Sequence, residues 1–381
     1  MRRAEASVSL VELLPLRRVR LPSASKLAPY LRAVDRANWY TNFGAQSRAL
    51  ERRLAERYAV PADTVLTAAN GTVALTAALL AADVPRDSYC IVPSFTFTGT
   101  VSAVLLAGLR PWFVDVRRDT WALEAEAVAR ELARAPGEVR AAMPVSPFGA
   151  PLQQAPWQEF ESRTGIRVVV DAAWCFDSIQ AMRLPTMVSL HATKVFGVGE
   201  GAFLAGGTPE FTRRARAITN YGIEADQGSV RVGGNFKLSE YSAAVGQAAL
   251  DGWAARRKAA LRVKAWYLEE LGGLPGTALL PGYDGDWAPA TFALRFDEPL
   301  AARMLDRLSA ANIESRMWWG RPCHRLRAYS AYPAAEQPNT EWLCERVLCL
   351  PFFESMKRRD VRRVGKAVKN ALRSFTSPRT R

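Results

Sequence analysis

The chain has 381 residues, 49% of them hydrophobic and 23% charged, and a formal net charge of +14. That is enough chain for two or three domains and for a core that folds without metal or disulfide staples. The composition excludes a disordered or fibrous chain. Apolar runs such as AVLLAGL at 103–109 fall far short of the ~20 residues a membrane helix needs.

Residues 1–35 read as an N-terminal arm with a basic RRVR at 17–20. Residues 46–58 have helical spacing, with Leu50, Leu54 and Tyr58 on one face. From there to about 205, strand and helix signals alternate. Val65–Thr67 is a strand leading into a helix near Thr72. Cys90–Pro93 is a buried strand, followed by a helix over 97–108. Pro111–Val116, Ala141–Val145 and Ile166–Val170 are further strands, separated by helices at 124–134 and 155–163. Shorter strands are expected at 187–191 and 202–205. The pattern changes after Asn220. A long helix from Ser239 to about Leu271 bridges to a second domain. There a strand at Ala290–Phe296 mixes with helices at 300–312, 340–348 and 357–375. Apolar strands between amphipathic helices predict a parallel or mixed sheet covered on both faces. Ligands then bind beyond the carboxyl ends of the strands.

Residues 357–381 hold ten Lys or Arg against one acid, Asp360, a net of +9, so the remaining chain carries only +5. Val361, Val364, Val368 and Leu372 line one face of this amphipathic helix. Its basic face reads first as a solvated surface, then as a means of steering anionic substrates. Nucleic-acid binding is the weakest of the three readings. The five cysteines (Cys90, Cys175, Cys323, Cys344 and Cys349) are odd in number and form no CxxC pair. They read as buried thiols of a reducing cytoplasm. Glu5 and Glu12 interrupt the start, against a secretory leader. Two histidines, His191 and His324, are too few for a histidine-rich metal site, and no metal is expected.

Three signals carry chemistry. Asn70-Gly71-Thr72, between a strand and a helix, is either a capped turn or a phosphate seat at a helix amino terminus. Asp171, ending VVVD, is either a helix cap or a carboxylate placed to hold a cationic ring nitrogen or a metal. Lys194, in SLHATKVFGVGEGA, is either a surface lysine or a buried amine that attacks carbonyls. Their order changes the odds: an anchored phosphate, a paired ring nitrogen and a lysine for the aldehyde are what pyridoxal phosphate (PLP) requires.

At this point the sequence resembles the DegT/StrS sugar aminotransferases, within the fold-type-I PLP enzymes. The resemblance runs from about Tyr40 to Leu372. It is carried by TNFGAQSRALERRLA, ANGTVALTAAL, VPSFTFTGT, PWFVDV, VVVDAA, SLHATKVFGVGEGA and GGNFKLSE, with RPCHRL and LCLPFF near the end. The resemblance implies that Lys194 bonds to the cofactor aldehyde and Asp171 pairs with its ring nitrogen. It places Phe97 on the ring face and Gly71, Thr72 and Ser189 at the phosphate. Asn235 would reach the phosphate from a neighbouring subunit, which implies a homodimer with shared active sites. The implied fold is α/β, a large domain with a mixed, mostly parallel seven-stranded sheet flanked by helices and a smaller C-terminal α/β domain. The expected division is an arm (1–35), a PLP-binding domain (36–250) and a small domain (251–381).

Three departures stand out. Trp174 replaces the usual Gln or His three positions after the aspartate, so it either donates its indole N–H to the cofactor's phenolic oxygen or only packs. Ser146 stands where a histidine near the sugar site is common. GEGA replaces GEGG. His191 reads as structural. His324, after Arg321-Pro322, is a tentative substrate contact. Trp318 and Trp319 either stack on substrate or pack in the core. The implied activity is transfer of an amino group from glutamate or glutamine to a keto group of a nucleotide-linked deoxysugar. Transamination of a cyclitol or another non-nucleotide ketone is the alternative. A non-catalytic regulator with the same fold is a third reading, opposed by the intact Lys194 and Asp171.

Overall fold

The computed structural model describes residues 12–179, 182–224 and 227–376. Two helices come first, α1 (Ala24–Ala37) and α2 (Ala45–Tyr58). Then follow β1 (Val65–Ala68), α3 (Gly71–Ala81), β2 (Tyr89–Pro93), α4 (Thr98–Leu106), β3 (Arg110–Val114) and α5 (Ala125–Glu131). The alternation continues through β4 (Val139–Ala142), α6 (Ala155–Thr164), β5 (Arg167–Val168), β6 (Val170–Asp171), β7 (Thr186–Ser189), β8 (Ala202–Ala205) and α7 (Pro209–Thr219). A short hairpin, β9 (Ile223–Glu224) and β10 (Gly228–Ser229), precedes α8 (Glu240–Asp251) and α9 (Trp253–Leu271). The chain ends with β11 (Thr277–Leu279), β12 (Phe292–Phe296), α10 (Ala301–Ala310), α11 (Pro338–Cys344), β13 (Val347–Leu350) and α12 (Arg358–Thr376).

The strands order as β3-β2-β4-β5 and as β6-β7-β8-β1. Only Val169 separates β5 from β6, and its amide donates to Ala142 O while that of Asp171 donates to Pro144 O. The expected single sheet is therefore drawn as two four-stranded sheets meeting at one interrupted strand. All pairings are parallel except those of β8 with β7 and β1. The carboxyl ends of β1, β2, β6 and β7 consequently point the same way. Ile91 belongs to one buried apolar cluster, and its neighbours Cys90 and Val92 belong to another. The sheet is thus covered on both faces, which is why its strands read as unbroken apolar runs. A separate antiparallel sheet, β11-β12-β13, carries the C-terminal part.

Two expected helices need correction, and two helices were not anticipated. Residues 24–37, mostly within the expected arm, form helix α1, which was not anticipated. Pro29 lies inside that helix and masks its period. The single helix over 239–271 is broken at Gly252, which lies between α8 and α9. The helix placed at 340–348 stops at Cys344, and Val347–Leu350 forms β13, each residue buried between neighbours. Helix α7 was not anticipated. The C-terminal amphipathic helix is as expected, with Val361, Val364 and Val368 fully buried. Part of its basic face is engaged inward: Lys369 pairs with Glu270 at 3.2 Å and Arg363 donates to Ala311 O at 2.8 Å. All five cysteines are buried and free. Among the described residues, no helix is long and apolar enough to cross a membrane.

Candidate active site

Four loops, after β1, β2, β6 and β7, bring the site together. Asn70 caps α3 by accepting from the Val73 amide at 3.1 Å. Gly71 and Thr72 open that helix, so their amides have no partner within it. A Cβ on Gly71 would stand 3.2 Å from Met187 Sδ and 3.7 Å from Ser189 Cβ, so the helix start lies against the end of β7. A Cβ on Gly99 would meet the Phe97 ring at 3.2 Å and Thr72 Oγ1 at 3.3 Å, so these two groups converge as well. Phe97 is 57% exposed.

Lys194 sits in the connection between β7 and β8. Its amide donates to His191 O, and Ala192 donates to Gly199 O at 2.7 Å. Gly197 permits this tight fold, since a Cβ there would lie 2.8 Å from Ala192 Cα. His191 is structural, with Nδ1 2.7 Å from Thr193 Oγ1. The Lys194 ammonium lies 3.8 Å from the centre of the Trp174 ring. Burial, then the nearby Arg17 charge, lower its pKa from 10.5 to about 7, while Asp171 acts in the opposite direction.

Asp171 is buried at the end of β6. One carboxylate oxygen accepts from Thr100 Oγ1 at 2.7 Å and the other from the Ala173 amide at 3.1 Å. Thr96 Oγ1 lies 2.8 Å from Thr100 Oγ1, which completes a short relay. Burial raises the carboxyl pKa; Thr100, Ala173 and the Lys194 charge oppose it. Burial thus pushes acid and amine alike towards their neutral forms, outweighing their mutual attraction. A cation set against Asp171 would restore its charge. The residues present therefore fit PLP: an acceptor for a protonated ring nitrogen, a readily deprotonated lysine, and amides with hydroxyls for a phosphate.

The other candidate residues take these places. Asn235 is exposed, and its backbone is bridged to Asn220. His324 Nδ1 is 2.7 Å from Ser94 Oγ, which also accepts from the His324 amide at 3.0 Å. That histidine secures the loop after β2. Its Nε2 is 3.9 Å from Glu341, and burial foremost lowers its pKa. Ser146 is fully buried; it donates to Ala150 O and accepts from Cys175 Sγ. Trp319 belongs to the core, stacked on Phe148 at 4.1 Å.

Sequence reasoning missed Thr100 and Arg17. The alternating threonines of FTFTGT were the available signal for the first. For Arg17 it was only the basic RRVR. Its guanidinium carbon lies 4.6 Å from the Trp174 ring centre and 4.9 Å from that of Trp318, and Nη1 donates to Thr193 O at 2.7 Å.

A mixed α/β fold with this lysine and aspartate fits a PLP-dependent enzyme. The chain belongs to the DegT/DnrJ/EryC1/StrS aminotransferase family, whose model matches residues 23–369. Protein Rv3402c of Mycobacterium tuberculosis is 32% identical over 387 residues, covering 97% of this chain and 93% of the relative. A UDP-N-acetyl-3-dehydro-alpha-D-glucosamine 3-aminotransferase of Acidithiobacillus ferrooxidans is 28% identical over 340 residues, covering 86% of this chain and 89% of that one. Among solved structures, DesI in the presence of its TDP-sugar product superposes with a TM-score of 0.84 at 28% identity, covering 96% of this chain and 95% of that chain.

Proposed function

We propose that the enzyme moves an amino group from glutamate or glutamine to the keto group of a nucleotide-linked deoxysugar. The observation that carries this reading is Lys194 near enough to buried Asp171 for their charges to interact, together with Gly71 set against Ser189 and Thr72 beside Phe97. The two named relatives that act on, or bind, nucleotide sugars support the substrate class.

In this reading Lys194 bonds to the cofactor, and Asp171 holds its ring nitrogen protonated. Gly71, Thr72 and Ser189 take the phosphate, Phe97 covers a ring face, and Trp174 borders the lysine. When bound, PLP supplies an electron sink for the donor's carbon. Once the donor amine displaces it from the cofactor, the Lys194 amine, held easily deprotonated by burial and Arg17, would move a proton at the donor carbon. Thr100 and the Ala173 amide fix the Asp171 carboxylate, so its charge needs no reorganisation. His324 is kept as a secondary candidate at the substrate side.

Asn235 reaches a partner's phosphate in a homodimer, in keeping with its exposure. Exposed Trp39, Tyr40 and Tyr241 supply apolar surface for such an interface. We divide the chain into an arm (1–35), a PLP-binding domain (36–250) and a small domain (251–381), and place the enzyme in the cytoplasm. The test is a panel of UDP- and TDP-linked keto sugars beside free keto cyclitols, with product amines read by mass. Amination confined to the nucleotide sugars supports the reading; amination of cyclitols alone overturns it.

A further inference from the structure

The amino-terminal arm places a cation where the known-type residues above do not account for it. Leu14 is bridged to Ile313, the Leu16 amide donates to Glu314 Oε2 at 2.7 Å, and Phe352 N donates to Leu16 O at 3.0 Å. These bonds fix the backbone beside Arg17. Its guanidinium is then held between the Trp174 and Trp318 rings, with Nη1 on the carbonyl of Thr193, the residue before Lys194. Its Nε and Nη2 are buried without a partner, and so is Nε1 of Trp318. This is a cluster of donors with no acceptor. A further cation, Arg316, also lies over the Trp318 ring, 4.2 Å from its centre; the acidic group coupled to Arg17 is the Cys349 thiol, and Glu354 in the same cavity is already paired with Arg256 at 2.9 Å. A cavity of about 40 Å³ counts both Arg17 and Lys194 in its lining.

A buried guanidinium without a counter-ion is costly, and its cost falls sharply when an anion arrives. Nε–H and one Nη2–H form the side-on fork that donates two parallel hydrogen bonds to a planar carboxylate. The phosphate seat at α3 is a separate place, built from amides and hydroxyls. An amino donor must bring its nitrogen to where Lys194 Nζ stands, and its α-carboxylate is one carbon away from that nitrogen. We infer that Arg17 is the receptor for the amino donor's α-carboxylate, a substrate-binding residue supplied by the N-terminal arm. This rests on the aminotransferase reading and assigns the donor half of the site. Loss of solvent also holds the Arg17 pKa down, to about 10, in keeping with a cation that lacks its partner.

The test uses the PLP-loaded full chain as wild type, Arg17→Gln and Arg17→Lys. Calorimetry measures binding of glutarate, which has carboxylates and no amine to react. Wild type should bind it. Arg17→Gln should weaken binding about 30-fold or more, as for loss of one partner of a buried charge pair. Arg17→Lys keeps the charge and the stem but not the fork, and should weaken it about 10-fold. Wild type should also prefer L-glutamate over L-isoglutamine, which carries an α-carboxamide, and Arg17→Gln should lose that preference. Binding of a nucleotide sugar should change less than about twofold, because it makes no use of this fork. Glutarate bound equally by wild type and Arg17→Gln, or not bound by wild type, overturns the inference. So does a variant that loses the nucleotide sugar and keeps glutarate, since the anion would then be a phosphate. If Arg17→Gln loosens the arm, Arg17→Lys decides alone. A wild type that binds glutarate yet takes nitrogen from no amino acid would sink the donor reading and leave the carboxylate receptor standing.

Discussion

The Lys194 ammonium lies 3.8 Å from the centre of the Trp174 ring, and the Arg17 guanidinium sits over the same ring. The aromatic face attracts the ammonium form. Lost solvent and the neighbouring cation act against it, and the amine is brought down to about 7. Trp174, the least expected residue of the site, is therefore the surface on which the lysine and the arm's arginine meet.

This fixes a pH dependence. The neutral amine is the nucleophile, and its fraction grows as pH rises through the folded pKa. Capture of PLP by the cofactor-free protein should speed up with pH and reach half its limit near pH 7, not near 10.5. Arg17→Gln removes a repelling cation and should move that midpoint upward. Between about 7 and 10.5 the unfolded chain binds a proton here that the folded chain does not, so this group makes stability rise with pH over that window. A capture rate flat from pH 6 to 9 would contradict the assignment.

Asp171→Asn keeps the shape of the side chain and removes its charge. The amide oxygen can still accept from the Ala173 amide, and the Thr100 hydroxyl can turn to accept from the new NH2, so the fold should survive with its melting temperature nearly unchanged. The turnover rate should fall by about 100-fold or more. Thr100→Val, which removes the 2.7 Å bond, should cost about tenfold in rate. Equal activity of Asp171→Asn and wild type would show that the carboxylate has another role.

Phe97 is 57% exposed and does little for the core. Phe97→Ala should leave stability within about 0.5 kcal/mol of wild type. PLP affinity should weaken about 3- to 10-fold through loss of ring contact. Equilibrium dialysis and thermal melts read the two effects separately, and a variant that lost stability alone would assign Phe97 to packing.

Gly222 has φ +73°, and a Cβ there would stand 1.8 Å from Arg231 O. Gly222→Ala should force apart the segment that carries Asn235 and lower stability by about 2 kcal/mol or more. In a homodimer built as proposed, PLP affinity should fall with it. An unchanged melting curve would contradict the tight approach.

Much of this was legible because the signals are local. Asp171 ends a run of apolar residues, Gly71 and Thr72 follow a strand directly, and Lys194 lies in a glycine-rich turn. What was not legible depends on distant contacts. Arg17 reaches Lys194 only because Leu14 and Leu16 are tied to residues 312–314 and 352. Thr100 joins Asp171 only once the carboxyl ends of β2 and β6 are brought to the same side of the sheets. Pro29 hid α1, and Val347–Leu350 became a strand because β12 offers it a partner edge.

The central claim is that Lys194 bonds to PLP and carries the proton. Its most direct test is the absorbance of wild type and Lys194→Ala with added PLP, before and after L-glutamate. Wild type should show the visible band of a lysine-bound cofactor, which moves into the near ultraviolet when glutamate is added. Lys194→Ala should stay folded and show no such lysine-bound band. The same band in Lys194→Ala, or its absence from wild type, would contradict the account.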